Sequence, residues 1–212
     1  MEAHHLDNDV VFKLVRLGLL SELTEALHAP QIFVLSTCKY VAERALNDVP
    51  VELGQLREWL ASATDLEVTS SVALLAAAIE ERAIDAGLQL DDGESLLFAE
   101  VAANGGRAVT GDKRAIKACD FVVRRSDELE GLHGRVVCLE QIFLQLLSSI
   151  GVAKCRAAVC SAKLVDRALT ACFHCTRASD SMEDAHAGLH SYVRALKAES
   201  EMVLADDACA LC

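Results

Sequence analysis

The sequence predicts an α/β fold, a parallel sheet whose strands alternate with helices, followed by a stretch that reads as helix alone. Three observations lead there. Short, nearly continuous apolar runs at 32–36 (IFVLS), 66–70 (LEVTS) and 106–111 (GRAVTG) have the make-up of strands covered on both faces. Between them, apolar residues recur at helical spacing, and such alternation indicates crossover connections. The chain is 52% hydrophobic but only 4% aromatic, so Ala, Leu and Val fill the interior, which suits close helix packing.

In order, the segment just before Asp7 is a candidate first strand, and residues 8–27 (NDVVFKLVRLGLLSELTEAL) read as helix with a break near Gly18. IFVLS follows, then helical segments at 37–47 and 52–63. LEVTS leads to helices at 71–87 and 93–104. The stretch VTGDKRAIKA (109–118) begins strand-like and ends helix-like with Asp112 at the junction, and DFVVRR (120–125) is a candidate further strand. Beyond about residue 130 only helical periodicity is read, at 134–151, 153–173 and 181–200. The expected organisation is an α/β domain over residues 1–128 and a helical extension over 129–212, with no internal repeat.

At 212 residues the chain can bury a sizeable core. With two prolines and no Gly/Ser-rich tract, it has no long linker. No run reaches the roughly 18 apolar residues that a bilayer span needs. The N-terminus carries acids at 2, 7 and 9 where a secretory signal would be basic and then apolar, so a cytoplasmic protein is expected, with no membrane partner. In a reducing compartment the nine cysteines are expected as free thiols, among them Cys38, Cys119, Cys138, Cys155 and Cys160 as small buried hydrophobes. The pairs Cys172/Cys175 and Cys209/Cys212 offer structural zinc as an alternative, without the usual Gly-rich knuckle. His4 and His5 precede Asp7 and read as bystanders. Trp59 and Tyr40 are isolated, so no aromatic platform for stacking bases is visible. The net charge of −12 is uneven, because residues 107–125 hold six basic against two acidic side chains and could grip a polyanion locally.

Chemistry in a parallel sheet gathers at the carboxyl ends of the strands. Asp7 precedes the first helix, Glu43 lies in the helix after IFVLS, Asp91, Asp92 and Glu94 open the helix at 93–104, and Asp112 follows AVTG. Singly, each has a structural explanation, as an N-cap, a dipole partner or, for Glu43, a pair with Lys39. Together they suggest a cation site. Two carboxylates about 4 Å apart repel by about 4 kcal/mol at an effective dielectric near 20. Hard oxygen donors suit Mg²⁺ or Mn²⁺, and such ions support phosphodiester hydrolysis.

These residues resemble the PIN domain, a family of metal-dependent nucleases. LDNDVVFKL (6–14) is similar to the family's opening block, VLSTCKYVAERALN (34–47) to its second, and LDDGESLLFAEVAANGGRAVTGDKRAIKA (90–118) to the block that ends in T-x-D. The resemblance covers about 3–125 and implies a three-layer PIN-like fold. It implies a metal shell of Asp7, Glu43, Glu94 and Asp112, which are also the catalytic acids, with Asp92 sharing or taking the place of Glu94, where Asp is commoner. Thr110 would orient the site. From their place beside Asp112, and apart from the resemblance, Lys113, Arg114 or Lys117 would steady the substrate backbone. Asp9 stands where many relatives carry Asn. The implied activity is that of a Mg²⁺/Mn²⁺-dependent ribonuclease, with DNA an open alternative. Toxin-like members imply an antitoxin or another protein partner, and the apolar helical surface is compatible with a homodimer. The competing reading is a catalytically silent scaffold that keeps the fold.

Overall fold

The computed structural model describes residues 3–27, 31–46, 49–176 and 182–206. Among them is one five-stranded, all-parallel sheet flanked by helices. The strands are β1 (His4–Leu6), β2 (Ile32–Leu35), β3 (Thr64–Leu66), β4 (Arg107–Thr110) and β5 (Val136–Cys138), in the order β3-β2-β1-β4-β5. Leu6 lies beside Val109, and Val109 beside Val137, so these three share one face. Ala108 and Val136 share the other. The alternation fills two cores, one on each side of the sheet.

On the first face pack α1 (Asn8–Arg16) and α2 (Leu20–Leu27), separated at Gly18, and α8 (Leu139–Ile150). Residues Val10, Val11, Leu14 and Val15 of α1 are fully buried, the stripe expected of an amphipathic helix. The other core is built by α5 (Ser70–Asp85), α6 (Asp92–Asn104) and α7 (Lys113–Val123). Between β2 and β3 run α3 (Cys38–Ala45) and α4 (Pro50–Leu60). The chain then adds α9 (Val152–Ser161), α10 (Arg167–Cys172) and α11 (Met182–Glu199).

Four expectations about secondary structure are corrected. Residues 120–125 are not a strand, because Ala115, Ile116, Cys119, Val122 and Val123 are buried at helical spacing and carry α7 into the run as far as Val123. The stretch beyond 130 is not helix alone. Val136–Cys138 forms β5, and a capping box between Cys138 and Gln141 starts α8 at the very next residue, so the two read as one apolar run. The sheet and both cores therefore continue past residue 128. The strand expected at 66–70 ends at Leu66, since Thr69 caps α5 by accepting from the Val72 amide at 3.3 Å. The helix expected over 153–173 is two, the second started by Asp166, which accepts from the Leu169 amide at 3.0 Å.

Cys160 is not a free thiol. It is bonded to Cys175, while Cys38, Cys119, Cys138, Cys155 and Cys172 are free and buried. With Cys175 so engaged, the Cys172/Cys175 pair does not offer two thiolates to zinc, and Cys209 and Cys212 lie outside the described residues. No helix among the described residues is long and apolar enough to cross a membrane.

Candidate functional site

The strand order reverses direction between β1 and β4, and a cleft of about 990 Å³ opens at their carboxyl ends. This is the place where an open parallel sheet leaves room for a ligand. Six carboxylates line it, those of Asp7, Asp9, Asp91, Asp92, Glu94 and Asp112.

Asp7 directly follows β1 and its amide donates to the Val109 carbonyl at 2.9 Å, which ties it to β4. It stands at the N-cap of α1 without a full side-chain cap bond, and of the first-turn amides that of Asp9 acts on its carboxylate, weakly favouring the charged form. The Thr110 hydroxyl donates to Asp7 Oδ2 at 3.1 Å and accepts from the Asp112 amide at 3.1 Å. One hydroxyl thus links the two acids that end neighbouring strands. The side chain of Asp7 is buried at 8% exposure. Burial, then repulsion from Asp9, pushes its carboxyl up to about 6, although the Thr110 hydrogen bond opposes the shift.

Glu94 reaches the cleft from the first turn of α6. Asp91 Oδ1 accepts from the Glu94 amide at 2.8 Å, and Glu94 Oε2 accepts from the Asp91 amide at 3.1 Å, a reciprocal cap. Glu94 is 6% exposed. Burial, reinforced by Asp91, Asp7 and Asp112, pushes its carboxyl up to about 8 against the lowering effect of the Asp91 amide. The largest charge effects felt by Asp7 and Glu94 come from other acids.

Asp112 differs. It caps α7, accepting from the Arg114 amide at 2.7 Å, and the Arg114 guanidinium straddles both its oxygens at 3.3 and 2.7 Å. Burial pushes this carboxyl up, but Arg114 more than offsets that and holds it below the ordinary value.

Of the residues expected from sequence, Asp7, Asp92, Glu94 and Asp112 line the cleft and Thr110 braces it. Glu43 is a correction. It is 55% exposed and pairs with Arg57 of α4 at 2.9 Å, not with the other acids and not with Lys39. Val41 is the α3 residue on the cleft wall, and two residues further along a helix is a rotation of about 200°, which turns Glu43 away. The expected backbone cations each have an acidic partner. Lys113 pairs with Glu140 of α8 at 2.6 Å, Lys117 pairs with Glu199 of α11, and Arg114 is held on Asp112. Their partners on α8 and α11 follow a stretch whose packing the local sequence does not reveal.

Missed altogether is Lys13. It lines the cleft from α1, with its ammonium 2.7 Å from Asp9 and 3.0 Å from Asp166, the cap of α10. Burial lowers its pKa, but the two acids prevail and raise it, so it stays charged. The i,i+4 spacing of Asp9 and Lys13 was the available signal. Gly111 permits this packing, because a Cβ there would lie 2.5 Å from Asp9 Oδ2 and 3.1 Å from Lys13 Nζ.

As the side chains stand, no three His, Cys, Asp or Glu residues among those described are placed to hold one metal ion together. The chemistry of the donors nonetheless suits Mg²⁺ or Mn²⁺: oxygen ligands only, partly buried, and mutually repelling. No protein-family model, curated protein or solved structure matches the chain.

Proposed function

We propose that this protein is a PIN-like, Mg²⁺- or Mn²⁺-dependent nuclease that hydrolyses phosphodiester bonds, with RNA as its substrate. The observation that carries the reading is that Asp7 and Glu94 are buried in one cleft, under the influence chiefly of other acids, a mutual repulsion that a divalent cation would relieve. The strand order and the position of the cleft support a PIN-like arrangement.

Asp7 and Glu94 would hold the ion, with Asp112 and Asp92 at its edge. When bound, the ion would activate water and neutralise the non-bridging phosphate oxygens. Thr110 fixes the Asp7 carboxylate through Oδ2 and leaves Oδ1 without that bond. Lys13, buttressed by Asp166, is the ammonium on the cleft wall that would meet the substrate phosphate. Mn²⁺-dependent cleavage of RNA by the wild type, abolished in Asp7→Asn and Glu94→Gln with folding intact, tests this reading. Equal cleavage by the variants rejects it.

The second reading, a silent scaffold, is favoured by one observation: both Asp112 oxygens are engaged by Arg114 and the helix cap. A scaffold would show neither cleavage nor a Mn²⁺-dependent rise in melting temperature, whereas a ligand that binds only the folded state must raise it.

A further inference from the structure

Beside the acid cleft lies a smaller hollow of about 340 Å³, near the lower end of the roughly 300–1,000 Å³ typical of ligand pockets. The two share Asp91, Glu94 and Asp112 as a common wall. The remaining walls are of another kind. Ile84 comes from the last turn of α5, Leu88 and Leu90 from the connection to α6, and Gln89 and Arg114 add an amide and a guanidinium. Ile84 is 62% exposed, an apolar side chain that the fold leaves open to solvent.

This wall is built before any ligand arrives. Gly87, with φ of 71°, ends α5: its amide donates to the Ile84 carbonyl at 2.8 Å and the Leu88 amide to the Ala83 carbonyl at 2.8 Å. The Asp91–Glu94 capping box then starts α6. Gln89 and Leu90 are therefore held between two helix ends. Arg114 Nη1 donates to Gln89 Oε1 at 3.4 Å, bringing the two polar groups together.

We infer that this hollow is a subsite for one unpaired nucleobase, next to the phosphate cleaved in the acid cleft; the inference rests on the nuclease reading. A base has apolar faces and a hydrogen-bonding edge, matching the aliphatic wall and the Gln89 amide. A base paired and stacked in a duplex cannot enter, so the subsite selects single-stranded substrate. Arg114 lies on the boundary and reaches both the acid wall and Gln89.

Two measurements test it. Single-stranded RNA oligonucleotides are cleaved in Mn²⁺, each with an abasic site moved one position along the strand. At one position next to the cut, kcat/KM is expected to fall about tenfold, the size of a lost hydrogen bond and contact. Gln89→Ala is expected to lower cleavage of the intact strand similarly and to leave cleavage of that abasic strand at the wild-type rate. Cleavage indifferent to every abasic site overturns the subsite and leaves the nuclease reading intact. Independently of cleavage, adenosine, cytidine, guanosine and uridine 5′-monophosphates are titrated in Mg²⁺, which is diamagnetic, against ribose 5-phosphate, following the methyl resonances of Ile84, Leu88 and Leu90. Shifts with at least one nucleotide and none with the sugar phosphate are expected. Equal shifts, or none, overturn the subsite even if no RNA is cut, while absence of cleavage alone counts against the nuclease reading.

Discussion

Two sets of buried carboxylates in this protein have opposite surroundings. Asp120 and Glu140, both almost fully buried, are compensated. Asp120 accepts from the Met202 amide at 2.7 Å and the Val203 amide at 3.3 Å and pairs with Arg124, while Glu140 meets Lys113 at 2.6 Å. Asp7 and Glu94 are buried as well, yet the charges that act on them most are acids. A buried anion with a cation or amides is part of the framework, fixing α7 against the chain after α11 and α8 against α7. Buried anions that face each other destabilise the fold unless protons or an external cation neutralise them.

The largest effects should separate the two sets by stability. Lys113→Met leaves Glu140 as an unpaired buried charge and is expected to destabilise the protein by about 3–5 kcal/mol, toward the lower figure because Lys113 is partly open to solvent. Asp7→Asn removes a repelled charge while its side chain can still meet Thr110, so its melting temperature in chelator should equal or exceed that of wild type. Denaturant melts of both variants check this. A stable Lys113→Met and an unfolded Asp7→Asn would invert the comparison.

A smaller effect concerns pH. In the folded chain the carboxyl of Asp7 is raised from 3.8 to about 6 and that of Glu94 from 4.5 to about 8. Between the ordinary and raised values the folded state holds protons that the unfolded state has released, so the contribution of these groups to stability falls as pH rises. In chelator, thermal stability should therefore decline from about pH 5 to pH 8, with a shallower slope in Glu94→Gln and Asp7→Asn. On the proposed metal reading, saturating Mn²⁺ should offset the decline, since an ion held by these acids would favour their deprotonated form. A slope unchanged by either substitution would remove these acids from the account.

The fold was legible because its signals are local. Strand runs such as IFVLS keep their apolar character on both faces, and helix stripes such as Val10, Val11, Leu14 and Val15 repeat at the expected spacing. β5 was hidden because three residues are too few to display a period and a helix begins at the fourth. The acids that end strands or open helices, Asp7, Glu94 and Asp112, were legible because topology alone sends them to one edge. Glu43 and the lysines were not, because their directions depend on helix rotation and on partners such as Arg57, Glu140 and Glu199 that are distant in sequence. Lys13 was overlooked for the same reason. Its second partner, Asp166, is far along the chain and caps a helix whose sequence reads as the interior of a longer one.

Lys13 therefore yields the next prediction. Lys13→Met removes the ammonium from the cleft wall, and its effect should fall on substrate binding, with KM for RNA raised about tenfold and kcat changed less. Asp166→Asn, which leaves the ammonium in place but loosens its support, should shift KM in the same direction by less. A fall in kcat with unchanged KM would assign Lys13 to the chemical step instead.

The smallest expected effect belongs to Glu43. Its carboxylate is exposed and engaged with Arg57 on the neighbouring helix, and exposed ion pairs of this kind contribute about 0–1 kcal/mol. Glu43→Gln should leave stability within that range, and it should also leave the Mn²⁺-dependent rise in melting temperature equal to that of wild type. The paired variant Glu94→Gln, equally conservative in shape, should abolish the rise. If Glu43→Gln removes the Mn²⁺ response instead, α3 must turn its acid into the cleft when the ion binds, breaking the Arg57 pair, and the division between framework and cleft carboxylates would then hold only for the metal-free protein.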